Sequence, residues 1–251
     1  MSDELDLLKR RFKELYDKAD RGGYFTFTDF LGLSEQSAFN EVFPYPDQAI
    51  TRSGGPEGAE RIMIRFGSVD EIGYETPFPI LCVKVEPLSA KYADKLTHRD
   101  FLGALLNLGI ERCKLGDIII RENVGYVFAE ENIAKFITGE LSRVKRTDIS
   151  AEIADTLPEG ELYKTESKRI QIQSERIDAV IAKTYLVSRD DAQALIKRGL
   201  VFVNGKEVSG AAYAPKENDK VSVRGHGRFI YRGFDSTSRK GKLNAIVEIY
   251  V

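Results

Sequence analysis

Arg176, Lys183, Arg189 and Lys197 alternate with the neutral donors Ser188 and Gln193 over a short stretch of one chain, and Asn204 and Lys206 follow a few residues later. Guanidinium groups present a planar fork to anionic oxygens, ammonium groups a point charge, and hydroxyl and amide groups the uncharged hydrogen bonds that set register. Together they suit a polyanion, and they point to RNA. Further along, Arg224-Gly225-His226-Gly227-Arg228-Phe229-Ile230-Tyr231-Arg232 mixes arginines, glycines and aromatics. Glycine permits close backbone approach there, while Arg224 and Arg228 can grip phosphate or stack on a base.

Two short amphipathic helices must position the first group. Ile177, Val180 and Ile181 recur at the three-and-four spacing of one apolar stripe, with Arg176 and Lys183 two turns apart at its edge. A second helix is expected from Ser188, whose hydroxyl and Asp191 form a capping box. Its buried side is Ala192, Leu195 and Ile196, which leaves Arg189, Gln193 and Lys197 on an adjacent exposed stripe. Gly199 ends that helix as a left-handed cap. Val201 and Val203 then alternate into a strand that Asn204-Gly205 turns back into Lys206-Glu207-Val208. A short strand at 221–223 and a terminal strand from Asn244, after the basic turn Arg239-Lys240-Gly241-Lys242, complete the small sheet. If 228–232 is extended, Arg228 and Arg232 share a face opposite Phe229 and Tyr231, which are read as core.

This succession resembles the RNA-binding domain first defined in ribosomal small-subunit protein four. The residues that carry the likeness are Arg176-x-Asp178, Ser188-Arg189-x-x-Ala192, and Leu195-Ile196-x-x-Gly199-x-Val201-x-Val203-Asn204-Gly205. Tyr213-Ala214-Pro215 and Asn218-Asp219 stand where that family carries proline-serine and glycine-aspartate. The resemblance implies an RNA-binding surface, expected at Arg176, Lys183, Ser188, Arg189, Gln193, Lys197, Asn204 and Lys206, and the composition of 224–232 adds Arg224 and Arg228 to it.

Charge distribution supports the same reading independently. From Lys168 to the end there are 16 Lys and Arg against 9 Asp and Glu, whereas residues 1–167 carry 21 against 30, so a net charge of −2 conceals a polarised chain. Clustered positive charge decides nucleic-acid binding more than the total does.

Upstream, strands are expected at 80–85, 118–121, 125–129 and 148–153, with helices at 97–108 and 132–144. The order is βαββαβ, a ferredoxin-like arrangement, with Phe101, Leu102, Leu105, Leu108 and Ile133, Phe136, Ile137, Leu141 covering one sheet face. Gly125-Tyr126-Val127-Phe128-Ala129 is faintly similar to the aromatic strand of RNA-recognition motifs. In the first 75 residues Leu5, Leu8, Phe12 and Leu15 suit a helix, a second helix starts near Ser34, and Arg61 to Phe66 suits a strand. The expected class is therefore α+β in three parts: a helical/β region at 1–75, a ferredoxin-like domain at 76–165 that is a candidate for RNA binding, and the protein-four-like domain at 168–251. A linker falls around Leu157-Pro158-Glu159-Gly160.

That order of modules, with Phe30-Leu31-Gly32-Leu33-Ser34-Glu35-Gln36 near the start, resembles the bacterial YlmH family along essentially the whole chain. In that family aspartate-proline is more frequent where Gly32-Leu33 stands. The resemblance implies a cytoplasmic RNA-binding protein of ribosome-associated quality control, which engages a large subunit still holding peptidyl-tRNA and assists alanine-tail addition. It also implies a gene placed near cell-division genes.

Other classes find less support. Cys82 and Cys113 are far apart and read as core, no ligand-like spacing of cysteine and histidine suggests a metal, and no cofactor is expected. Without a signal-peptide core or a long apolar run the chain is expected to be cytosolic and free of the membrane, and a monomer when not on RNA. Thr97-His98-Arg99-Asp100 is superficially similar to the catalytic segment of pseudouridine synthases, but the Thr97 and Asp100 spacing is that of a helix capping box. Phosphate-binding P-loops and serine-nucleophile elbows do not occur. A ribosome- or tRNA-binding factor therefore stands against an RNA-modifying enzyme of the pseudouridine-synthase type or an RNA-binding regulator linked to cell division.

Overall fold

The computed structural model describes residues 2–155, 163–237 and 241–250. The expected linker at 157–160 and the turn residues Arg239 and Lys240 lie outside them. The chain divides into two compact units, Met1–Leu162 and Tyr163–Val251.

The first unit opens with α1 (Ser2–Gly22), β1 (Thr26–Phe27), α2 (Leu33–Val42), β2 (Ile50–Ser53), β3 (Met63–Phe66) and α3 (Val69–Ile72). Phe12, Leu15 and Ala19 on α1 pack with Phe39 of α2 and with Ile64 and Phe66 of β3, so the apolar stripe read along the first helix faces an aromatic core. The strands form an antiparallel sheet in the order β1-β3-β2.

Next come β4 (Ile80–Pro87), α4 (His98–Asn107), β5 (Leu115–Arg121), β6 (Val124–Glu130), α5 (Glu131–Glu140), β7 (Arg143–Val144) and β8 (Thr147–Ile153). The expected βαββαβ succession is present, with the short strand β7 inserted before the last strand, and the sheet runs β5-β6-β4-β8-β7 with every pairing antiparallel. Phe101 and Leu105 of α4 and Ala134 and Ile137 of α5 join one core with Val83, Val85 and Val127, so both helices cover one face. Two expectations need correction. The second helix stops at Glu140, because Arg143 and Val144 pair with Asp148 and Thr147 as a strand. Phe136 is 43% exposed, since the buried line on α5 runs through Ala134 and Ile137 to Leu141 instead.

The other face of this sheet receives the N-terminal segment. The Arg61 guanidinium donates to the carbonyls of Leu115 and Phe30, each at 2.8 Å, and Asp117 accepts from the amides of Glu60 and Arg61. Phe128 is buried, and a Cβ built on Gly55 would stand 2.6 Å from its ring. Phe128 is therefore unavailable as a platform for bases. Gly55, at φ +96°, is held in a conformation that suits glycine.

The second unit contains β9 (Thr165–Ile172), α6 (Ile177–Tyr185), α7 (Arg189–Lys197), β10 (Val201–Val203), β11 (Lys206–Glu207), β12 (Lys220–Val223), β13 (Gly227–Thr237) and β14 (Leu243–Tyr250). They build a six-stranded antiparallel sheet, β11-β10-β12-β13-β14-β9, whose core residues Phe229, Tyr231, Ala245 and Val247 pack with Ile177, Val180, Ile181, Ala192 and Ile196 of the helices. The terminal strand does not close the sheet. It pairs with β9 along eight residue pairs, and β9, unforeseen from sequence, is the edge.

Candidate nucleic-acid interface

The candidate interface is organised around a carboxylate. Asp178, in the first turn of α6, is wholly buried and accepts hydrogen bonds from Arg176 (3.1 and 3.2 Å), Arg189 (3.1 and 3.4 Å) and Gln193 (2.8 Å). Burial pushes its carboxyl up, but the bonds from Arg176, Arg189 and Gln193 outweigh that and bring it down to about 2. The anion thus fixes both guanidinium groups, whose side chains remain 40% and 46% exposed. A held guanidinium loses less rotamer freedom on meeting an external anion than a loose one.

The two helices are set by local rules. Arg176 caps α6 from extended backbone, and α6 ends at Leu186 in the left-handed region. Ser188 caps α7, its hydroxyl accepting from the amide of Asp191 at 3.0 Å and donating to that residue's carboxylate at 2.6 Å. Gly199 takes φ +66° after α7, and Asn204 and Gly205 at φ +50° and +75° make the two-residue hairpin between β10 and β11, as the sequence predicts. Leu195 is only partly buried, so Ala192 and Ile196 carry the inward side of α7.

The predicted site residues separate into groups. Arg176, Arg189 and Gln193 meet at Asp178, Ser188 lies at the neighbouring cap, and Lys183 and Lys197 are exposed in the last turns of α6 and α7. Lys206 is exposed on β11. Asn204 is exposed too, but its side chain ties the hairpin down, donating to Asp219 at 2.8 Å and accepting from the amide of Lys220 at 2.9 Å. Asp219 also accepts from the Lys216 amide, and Asn218 supplies the left-handed turn at φ +71°. The departure from the family's glycine-aspartate pattern is thus accommodated by asparagine.

Arg224 and Arg228 do not extend the same surface. Along β13 Arg228 alternates with the core residue Phe229 and so lies on the other face of the sheet, while Arg224, in the turn after β12, reaches Phe202, which alternates with the core residues Val201 and Val203. There Arg224 lies over the ring of Phe202 at 5.2 Å, and Arg228 sits between Tyr163 and Tyr250 at 4.4 and 4.1 Å. Phe229 and Tyr231 are fully buried, as expected of core.

Asp178 is the residue at the centre of the candidate site that sequence reasoning passed over, although it stands in the Arg176-x-Asp178 pattern. Its signal was an acidic residue inside the apolar stripe of a basic helix. In the first unit, Asp100 accepts from both the hydroxyl and the amide of Thr97, at 2.7 and 2.8 Å, which holds its carboxyl below the usual range. It is a helix cap. Cys82 is buried, and burial pushes its thiol to about 12; Cys113 is only half-buried, not core, and burial again pushes its thiol up, to about 11.

Residues 76–156 match the model described as the putative RNA-binding domain in YlmH, and residues 175–221 match the S4 domain. The ribosome-associated protein quality control protein P2 of Bacillus subtilis is 30% identical over 232 residues, covering 88% of this chain and 86% of that protein. The chain belongs to the YlmH family. A partial likeness, 42% identity over 50 residues, links it to an uncharacterized RNA pseudouridine synthase of Aquifex aeolicus, covering 20% of this chain and 21% of that one. Among solved structures, the cell division protein ylmH from Streptococcus pneumoniae superposes with a TM-score of 0.45 at 21% identity, over 60% of this chain and 91% of that one. The S4 match of this YlmH-family chain spans the Asp178 cluster, both helices and the hairpin. No helix among the described residues is long and apolar enough to cross a membrane.

Proposed function

We propose that this YlmH-family chain is a non-catalytic RNA-binding protein that engages rRNA and tRNA on the large ribosomal subunit and serves ribosome-associated quality control, assisting the addition of alanine tails to stalled nascent chains. The observation that carries the RNA-binding part is the Asp178 cluster. One buried anion holds Arg176, Arg189 and Gln193 at the surface of a unit rich in cations, beside exposed Lys183 and Lys197. The ribosomal assignment rests on membership of a family with a member named for ribosome-associated quality control. In this reading the chain works as three modules, 1–75, 76–165 and 168–251, is cytoplasmic, and is a monomer when free. Lys206 and the Asn204 hairpin border the same RNA surface.

The partial likeness to a pseudouridine synthase does not supply a mechanism. The one aspartate in a similar context, Asp100, is committed to capping α4. Crosslinking the protein in cells and sequencing the attached RNA tests the proposal. The expected reads are large-subunit rRNA and tRNA, with rRNA composition unchanged by Asp100→Asn; a discrete messenger set, or loss of a particular pseudouridine in that variant, would overturn it.

A further inference from the structure

Alongside the Asp178 cluster, a groove of about 720 Å³ runs between the edge strand β9 and the corner joining α6 to α7. Five cations line it: Lys168, Arg169, Lys183, Arg189 and Lys242, and no carboxylate is among its lining residues. Three of the five, Lys168, Arg169 and Lys242, fall outside residues 175–221. Lys168 gives one bond to the carbonyl of Thr184 at 2.7 Å, which closes the end of α6, and Arg169 is paired in part with Asp235. With Arg169 held by Asp235 and Arg189 by Asp178, the groove keeps its excess of positive charge through Lys168, Lys183 and Lys242, and a cleft with such an excess attracts polyanions. The second observation is Leu186, which also lines the groove. It is 81% exposed and holds φ +57°, ψ +38°. The left-handed cap explains the backbone angle but not the side chain, since glycine or asparagine meets the same geometry without strain and without presenting an isobutyl group to water. Other large apolar side chains are exposed in this chain, but Leu186 is the one set among the groove's cations, where it offers an apolar contact beside the positive charge.

We infer that this groove is a second part of the RNA-binding surface, in which the cations follow the phosphates of one strand and Leu186 packs on the face of an unpaired base. Double-helical RNA keeps its base faces stacked inside, so only a loop, bulge or end supplies that surface. The inference rests on the RNA-binding reading above and deepens it. It assigns a contact to β9, beyond the two helices and hairpin, and it specifies unpaired RNA.

The test uses the full chain with two probes, a labelled RNA stem carrying an unpaired loop and a fully paired duplex of the same stem. Lys242→Ala, at a lining cation outside residues 175–221, is expected to shallow the log-log salt slope by about 0.8 units and weaken binding roughly threefold on the loop probe. Leu186→Asn is expected to behave differently. It should melt no lower than the parent, keep the parental slope, and bind the loop probe roughly fivefold more weakly, the effect of losing about 40 Å² of buried apolar surface, while binding the duplex as the parent does. If the parent binds RNA and these variants bind both probes equally well, the groove is overturned and the Asp178 surface stands. The groove is overturned in the same way if Leu186→Asn weakens both probes alike. If the parent binds neither probe, the RNA-binding reading falls with it.

Discussion

A single buried carboxylate gives the basic surface its shape. Removing Asp178 leaves Arg176 and Arg189 facing each other without a counter-ion. Breaking a fully buried pair costs about 3–5 kcal/mol, and because both guanidinium groups are half in solvent, Asp178→Ala is expected near the lower end, about 3 kcal/mol, measured by denaturant unfolding. The same anion makes stability depend on pH with a definite sign. Its folded value, about 2, lies below the roughly 3.9 of an unfolded aspartate, so its contribution of about 2–3 kcal/mol is complete above about pH 4 and is lost as pH falls through about 2. Melts of parent and Asp178→Asn should therefore differ most near neutrality and converge in acid. A constant gap down to pH 2 would contradict the assignment. The cluster also divides two cations that look equivalent in sequence. Arg189→Ala removes two bonds to Asp178 and should cost about 1–2 kcal/mol as well as RNA affinity, whereas Lys197→Ala, exposed at the end of α7, should cost affinity with less than about 0.5 kcal/mol of stability. Equal melting temperatures for the two would show that Arg189 plays no part in the fold.

At the scale of elements, glycines in similar company respond oppositely. A Cβ at Gly125 of β6 would lie 2.5 Å from the buried ring of Phe101, so Gly125→Ala should destabilise by roughly 1–3 kcal/mol. Gly103, inside α4, has nothing within 4 Å of the same position, and Gly103→Ala should stabilise by about 0.8–1 kcal/mol. Thermal melts of the two variants give the check; a loss of stability in Gly103→Ala would mean that α4 is not where the structure puts it. Much of the C-terminal unit was legible because its signals are local. Ser188 and Asp191 cap α7 within one turn, Gly199 and Asn204-Gly205 need left-handed backbone, and alternation at Val201 and Val203 names the buried face. What escaped reading depends on distant partners. Strand β9 has the same alternation, Ile170 and Ile172 inward, but its place is fixed by pairing with β14, about 75 residues later. Phe136 looks like core in any helical window, and only the position of the sheet beneath α5 exposes it. Arg228 was readable as facing away from Phe229, yet its pocket is made by Tyr163 and Tyr250, from opposite ends of the unit.

Over the whole molecule, charge and compactness divide at the same place. The compact unit Tyr163–Val251 contains all 16 Lys and Arg counted from Lys168 onward, while the remainder of the chain is acidic. Its core is continuous across both helices and the sheet, so the excised unit is expected to unfold in one cooperative transition. Electrostatic binding then follows the unit and not the chain. Four to six phosphate contacts predict a log-log salt slope of roughly −3 to −5 for the isolated unit, and the full chain should show a similar slope, because the slope counts the phosphates neutralised and not the net charge. The acidic part should enter as a weaker affinity at low salt, through repulsion that salt screens. Titrating both proteins against one RNA over a range of salt separates these terms. A fragment that unfolds without cooperativity, or a slope near zero in a fragment that is folded, would show that the RNA surface is not contained in this unit.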